Sequence, residues 1–89
     1  MQNKYIIINV LGQETPILFP ETMSHSTVAY TLGLGTEPVS AGFWMALVDP
    51  DENGAGVRYK AYGESYTLNI KSRPEDTDIL NRFFNPYLP

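Results

Sequence analysis

The histidine at position 25 is the first candidate for chemistry, because the chain contains one histidine and Ser24 and Ser26 flank it. A serine nucleophile needs a histidine within hydrogen-bond reach and a third group that orients the ring. Immediate neighbours in sequence rarely meet that geometry, so we interpret His25 as a structural or capping residue. The chain has no cysteine, which excludes a thiolate nucleophile and a disulfide. We predict no catalytic residue and no cofactor.

A second candidate is the acidic segment Asp49-x-Asp51-x-Asn53-Gly54, which matches the opening of a calcium-binding loop. The match fails at the twelfth position, where Lys60 stands in place of the bidentate glutamate. Asn-Gly is also a strong hairpin signal. We therefore predict a polar turn between two strands and no metal site.

A third candidate is a set of aromatic and basic residues that alternation could place on one face of a sheet. These are Trp44, Tyr62, Arg58, Lys60 and Lys71. Such a mixture suits stacking on a nucleotide or single-stranded nucleic acid. It equally suits a protein interface, or a face that a loop covers and whose basic residues are solvated. The three interpretations stay open at the level of sequence.

The elements that position these residues follow from apolar periodicity. Alternating or β-branched runs predict five strands, at Lys4–Leu11, Thr15–Phe19, Val39–Val48, Val57–Tyr62 and Tyr66–Lys71. The turn between the first two strands is expected at Gly12–Glu14, and Pro16 is expected at the start of a strand or on a sheet edge. The third strand is apolar on both faces and is predicted to be central.

Two helices complete the order β-β-(α)-β-β-β-α. The first is expected near Glu21–Tyr30, although its threonines are weak helix formers and the state of residues 21–31 stays open. The second is expected to open at Ser72 with Glu75 as its capping partner. Its apolar stripe consists of Ile79, Leu80, Phe83 and Phe84. The predicted fold is α+β, with this helix packed on one face of a mainly antiparallel sheet.

The face that this helix covers decides the role of Trp44. If the helix covers the face of Phe43, alternation leaves Trp44 facing the segment 21–37 or another molecule. A bare tryptophan on a small sheet exposes an apolar patch that monomers usually avoid. On that assumption we predict a partner or self-association surface that contains Trp44 and Tyr62, with Arg58 and Lys60 at its rim.

The composition narrows the classes of function. A chain of 89 residues with 43% hydrophobic content indicates one domain, residues 1–89. The net charge of −4 makes nucleic acid an unlikely partner. The longest apolar runs are too short for a membrane span or a signal peptide, so we expect no membrane partner.

The chain resembles small phage and prophage proteins that have no assigned activity. The resemblance rests on Phe19-Pro20, His25 with Val28-Ala29, Val39–Phe43, Gly63-Glu64-Ser65 and Ser72–Asp76. It implies a phage-encoded accessory protein in the host cytoplasm, with inhibition of a host or defence protein as an analogy of class.

The sequence leaves several functions open. Our first hypothesis is a non-enzymatic protein-binding module, with an unidentified protein partner or a second copy of the chain. The alternatives are a small-ligand or nucleotide binder that sequesters its ligand, and a minor virion component.

Overall fold

A computed structural model describes residues 2–33, 37–48 and 57–84. These residues form β1 (Asn3–Val10), β2 (Gln13–Phe19), α1 (His25–Leu32), β3 (Glu37–Val48), β4 (Val57–Tyr62), β5 (Glu64–Ser65), β6 (Ile70–Lys71) and α2 (Asp76–Phe84). The predicted α+β class is confirmed. No helix in the described ranges is long and apolar enough to span a membrane. The predicted polar turn at residues 49–54 lies outside the residues that the structure describes.

The main sheet has the strand order β2-β1-β3-β4, and each neighbouring pair is antiparallel. β3 therefore lies between two strands, as its two apolar faces predict. β1 is also internal, and its residues Tyr5, Ile6 and Ile7 have no exposed surface. Pro16 lies in the edge strand β2, where its missing amide hydrogen need not interrupt a ladder.

A helix covers each face of the main sheet. On one face, Ile6, Ile8 and Ala41 pack with Val28 of α1; we call this the α1 face. On the other, Tyr5 and Ile7 pack with Ile79 of α2, and we call this the α2 face. Trp44 packs with the second cluster, whereas Phe43 meets the ring of His25 at a centroid distance of 5.9 Å. The assumption that the C-terminal helix covers Phe43 is therefore wrong.

Side-chain hydrogen bonds set the helix starts. Ser24 accepts a hydrogen bond from the Thr27 amide at 3.1 Å, so α1 begins at His25, later than expected. In α2, the carboxylate of Asp76 accepts from the Arg73 amide at 3.0 Å. The hydroxyl of Ser72 is engaged by Tyr5 instead, so the helix begins at Asp76 and not at Ser72.

The apolar stripe of α2 is only half buried. Ile79 and Leu80 retain 7% and 0% of their exposure and belong to the core. Phe83 and Phe84 retain 43% and 37%. The stripe predicts four core residues, and this prediction is wrong for the last turn, whose phenylalanines stay partly exposed although the Phe84 ring meets Tyr59 of β4.

The predicted strand at Tyr66–Lys71 is replaced by a turn between two short strands. β5 and β6 pair antiparallel as a separate two-stranded sheet. Ser65 Oγ accepts a hydrogen bond from the Leu68 amide at 3.1 Å, and Asn69 adopts a left-handed conformation with φ 55°. A serine side chain that bonds the backbone in this way offers the chain an alternative to a continuous strand.

Gly42 lies at a close approach of two strands. A β-carbon at this position would overlap the carbonyl oxygen of Tyr62 in β4. A glycine inside a strand pattern predicts a bulge or a close backbone approach. The close approach is observed, whereas the register shift falls elsewhere, where Ile7 and Ile8 of β1 pair with Ser40 and Pro38.

Candidate functional site

The pairing of β3 with β4 decides which of the predicted site residues share a face. Tyr62 lies opposite Phe43, Lys60 opposite Met45, and Arg58 opposite Leu47. Directly opposed residues of an antiparallel pair point to the same side. The face therefore carries Met45, Leu47, Arg58, Lys60 and Tyr62, and we call this set the hairpin surface.

The hairpin surface combines exposed apolar side chains with positive charge. Met45 and Leu47 are 41% and 47% exposed, at the end of a strand that its two apolar faces predict to be central. Arg58 and Lys60 are exposed beside them. Because the whole chain has a net charge of −4, the exposed ammonium group of Lys60 opposite Met45 is a local positive charge that favours an acidic ligand.

Trp44 lies on the opposite side of the sheet from Tyr62. Its partner across the strands is Ala61, on the α2 face. The predicted grouping of Trp44 with Tyr62, Arg58 and Lys60 on one face is therefore wrong. The strand register is the physical reason, because Tyr62 pairs with Phe43 and successive residues of β3 point to opposite faces.

The surroundings of Trp44 are aromatic. Its ring meets Tyr59 at a centroid distance of 5.5 Å, and Tyr59 meets Phe84 at 5.8 Å. The Nε1 atom of Trp44 is buried and has no hydrogen-bond partner among the described residues. The indole thus belongs to the packing beneath α2.

Lys71 belongs to a different part of the molecule. It is exposed in β6, where it pairs with Glu64 of β5. The structure therefore places it in the small sheet and not in the β3–β4 pair with Arg58 and Lys60.

His25 is part of the packing on the α1 face. It is 4% exposed, its Nε2 lies 2.8 Å from the carbonyl oxygen of Gly42, and its ring contacts Phe19 edge-on. Burial lowers the pKa of its imidazole, and the bond to Gly42 opposes that shift. Since Nε2 faces a carbonyl, it carries the proton of the neutral ring.

A small groove borders this histidine. Its lining includes Lys4, Ser24, Phe43 and Tyr66, and its volume is about 170 Å³. Ligand pockets usually span ~300–1,000 Å³. The groove beside His25 is thus small for a nucleotide.

A polar network on the α2 face joins residues far apart in sequence. Tyr5 donates a hydrogen bond to Asp76 Oδ2 at 2.6 Å and lies 2.7 Å from Ser72 Oγ. A phenol has one proton and a carboxylate only accepts, so Ser72 is the donor of the second bond. Arg73 Nε binds Asp76 Oδ1 at 2.9 Å, and Arg73 Nη2 binds Glu14 Oε1 at 2.6 Å.

The pKa values of the network follow from these contacts. Burial, and then the bond to Asp76, raises the pKa of the Tyr5 phenol well above its usual range. The hydrogen bond to Glu14 raises the pKa of Arg73, and the same bond lowers the pKa of Glu14. Tyr5 is therefore a fixed hydrogen-bond donor and a poor nucleophile at neutral pH.

Comparison with known proteins gives no family for this chain. No family model, curated protein or solved structure matches it. Within the described part of the chain, no group of three or more histidine, cysteine or acidic residues is arranged to hold a metal ion. The arrangement of its own residues is therefore the basis for any proposal.

The sequence did not predict two features of the structure. Met45 and Leu47 continue an apolar run whose earlier residues are buried, so alternation alone gave no sign that the end of β3 is exposed. The network partners Tyr5 and Asp76 are separated by 71 positions, and a buried aspartate at a helix start looks like an ordinary charge near the helix dipole.

Proposed function

We propose that the chain is a non-enzymatic protein-binding module whose hairpin surface holds a partner segment that carries apolar side chains beside carboxylates. The observation that supports this proposal is the exposure of Met45 and Leu47 directly opposite Lys60 and Arg58. Methionine and arginine are enriched at protein interfaces. Apolar anchors provide affinity, and a rim of one charge provides orientation and a faster approach.

The charge of the molecule supports a protein partner over nucleic acid. A chain with a net charge of −4 repels a phosphate backbone, and neutralisation of phosphates dominates nucleic-acid affinity. The ammonium group of Lys60 can pair with a carboxylate of a peptide segment. The apolar side chains of Met45 and Leu47 on β3 then bury surface against the apolar side chains of that segment.

The setting of this function is part of the same proposal. The resemblance to phage and prophage proteins supports a phage-encoded accessory protein in the cytoplasm of the host. An inhibitor of a host or defence protein would use such a surface to cover an acidic functional patch. A minor virion component would use it against another virion protein.

Parallel affinity capture with matched variants tests the proposal. Wild-type chain, Leu47→Ser, Lys60→Glu and Tyr30→Ser are immobilised in equal amounts and exposed to the same host lysate and virion extract. Tyr30 is an exposed aromatic residue on α1, outside the hairpin surface, so its variant is the control. We expect a protein retained by the wild type and the control whose retention falls at least ~10-fold with either surface variant.

The result that contradicts the proposal is equally specific. Retention of the same proteins by all four chains, or by none of them, would show that the hairpin surface holds no partner.

A further inference from the structure

The tight turn between β1 and β2 carries a leucine where the backbone disfavours one. Leu11 and Gly12 are its two central residues, with φ values of 52° and 85°, as a type I′ turn requires. Asparagine, aspartate and glycine suit this left-handed conformation, and leucine does so poorly. The side chain of Asn9 accepts a hydrogen bond from the Gly12 amide at 2.8 Å and supports the turn.

The leucine gains no burial at this position. Its side chain is 101% exposed, and the neighbouring Val10 is 37% exposed. An asparagine would form the same turn with less strain and better hydration. A residue that is both strained and fully exposed is therefore a feature that monomer stability does not explain, and such features point to function.

An open groove lies directly beside this turn. It has a volume of about 620 Å³ and is lined by Gly12, Gln13, Glu14, Glu75, Ile79, Arg82 and Phe83. The half-exposed Phe83 supplies most of its apolar surface, with the nearly buried Ile79 behind it, and Glu75 and Arg82 are exposed charges of opposite sign. The groove has the size of pockets that take small ligands, ~300–1,000 Å³, so a leucine side chain and its turn can enter it.

We propose that two copies of this chain associate through this patch, with Leu11 of each copy seated in the groove of the other. A protruding apolar side chain that adjoins a groove with an apolar wall at Phe83 and a charged rim forms a self-complementary patch. A two-fold axis through such a patch allows both contacts between Leu11 and the opposite groove to form in the same dimer.

Charge complementarity supports a second copy as the occupant. Glu75 and Arg82 are seven positions apart, roughly 10 Å along or just before α2. A two-fold axis perpendicular to α2 places the two copies of the helix antiparallel, so that Arg82 of one copy approaches Glu75 of the other. A pair of such contacts orients the two copies.

Sedimentation velocity over a range of concentrations tests the association, with Leu11→Asn as the decisive variant. We expect wild-type chain to self-associate and Leu11→Asn to raise the dissociation constant by at least ~10-fold. Because asparagine suits the left-handed conformation, the variant is expected to keep its circular dichroism spectrum and a thermal midpoint no lower than that of the monomeric wild type. Loss of fold in this variant would contradict our assignment of Leu11 to an interface.

The variant Leu47→Ser separates this inference from the proposed function. It removes an exposed leucine of the hairpin surface and is expected to leave the dissociation constant of self-association unchanged. Leu11→Asn, conversely, is expected to retain captured partners. Wild type that stays monomeric at every concentration, or a Leu11→Asn chain that associates as well as wild type, would overturn the inference.

Cross-linking locates the contact, because the chain has no cysteine. Single variants Leu11→Cys and Phe83→Cys, one of them carrying an affinity tag, are mixed and treated with a short bis-maleimide. We expect a tagged heterodimer for this pair and much less for the matched pair Leu11→Cys with Leu47→Cys. Equal yields for the two pairs would show that Leu11 is not seated in the groove of a second copy.

Discussion

The indole of Trp44 is partly buried against aromatic and aliphatic neighbours, yet its buried Nε1 hydrogen has no acceptor among the described residues. A buried donor without a partner loses its hydration and gains nothing in return, at a cost of about 1–3 kcal/mol. The ring contact with Tyr59 and the burial beneath α2 offset this cost. Trp44 therefore stabilises the fold through its area and not through its polar atom.

Two substitutions at Trp44 separate these contributions. Trp44→Ala removes both and is expected to lower the free energy of unfolding by ~3 kcal/mol. Trp44→Phe keeps most of the ring packing and removes the unpaired donor, so it is expected to remain within ~1 kcal/mol of wild type. Urea denaturation measures both. A wild-type-like midpoint for Trp44→Ala, or a red-shifted, readily quenched indole emission in the wild type, would contradict this assignment.

The burial of His25 predicts a loss of stability at mildly acidic pH. Its folded pKa is lowered from the usual 6.5, so the unfolded state binds more protons just below that value. Stability is therefore fully present above pH ~6.5 and declines as the pH falls, with a slope of at most ~1.4 kcal/mol per pH unit.

The variant His25→Gln tests this origin, because glutamine also carries a side-chain amide that can donate to Gly42. Urea denaturation at a series of pH values between 5 and 8 is expected to show the acid decline in wild type and a flatter profile in the variant. An identical slope in the two chains would assign the decline to other groups.

At the scale of elements, α2 closes the outer edge of β4. Asn81 Oδ1 accepts from the Tyr59 amide at 2.9 Å, and Asn81 Nδ2 donates to the Tyr59 carbonyl at 2.8 Å. One turn earlier, Thr77 Oγ1 accepts from the Ala61 amide at 3.0 Å. An uncovered edge strand is a template for pairing with another chain. The helix therefore satisfies these edge groups while its apolar face packs on the sheet.

Removal of these side chains is expected to expose the edge. Asn81→Ala leaves both backbone groups of Tyr59 without this partner and should cost about 1–3 kcal/mol, and Thr77→Val should cost ~1 kcal/mol. Both variants are expected to aggregate faster on mild heating, as light scattering measures. Asp78→Ala, an exposed change on the same helix, is the control and should change aggregation little. Equal aggregation of all three variants would refute the edge assignment.

At the scale of the whole molecule, the network of Tyr5, Asp76, Arg73 and Glu14 joins the first strand, the second strand and the last helix. Asp76 is completely buried, and a buried carboxylate is tolerated only when it is paired and hydrogen-bonded. Its partners are Tyr5 of β1 and Arg73 in the segment before α2, and Arg73 also forms an ion pair with Glu14 of β2. The network therefore fixes where α2 docks.

Loss of the Tyr5 hydroxyl is expected to loosen this docking. Tyr5→Phe removes a hydrogen bond to a charged group and should lower the free energy of unfolding by about 1.5–3 kcal/mol. The cost should shrink in an Asp76→Asn background, because the charged acceptor is then absent, and a double-mutant cycle measures the coupling. Strictly additive costs would show that the two groups act independently.

The same hydroxyl has a signature at alkaline pH. The folded pKa of Tyr5 is raised above the usual 10.0, so its contribution is present below pH ~10 and is lost as the pH rises further. Tyr5→Phe is expected to show a smaller alkaline decline than wild type. The lowered pKa of Glu14 has the opposite sense, and its contribution is lost as the pH falls below its usual 4.5.

The sequence by itself determined the class of the fold and the position of most strands. Runs such as Lys4–Leu11 and Val57–Tyr62 are β-branched or alternate strictly, and a local period of two suffices to identify a strand. The buried start of the α2 stripe and the edge position of Pro16 also follow from local chemistry. These predictions needed no knowledge of what lies across the sheet.

Only the tertiary structure decided which face each helix covers. Both faces of Val39–Val48 are apolar, so alternation separates Phe43 from Trp44 but cannot say which one meets α2. That choice depends on contacts between distant residues, such as the bond from Tyr5 to Asp76. In the folded chain, Trp44 packs on the α2 face, whereas Met45 and Leu47 stay exposed beside Lys60 on the opposite face. The candidate site therefore lies on the face of β3 and β4 that does not carry Trp44.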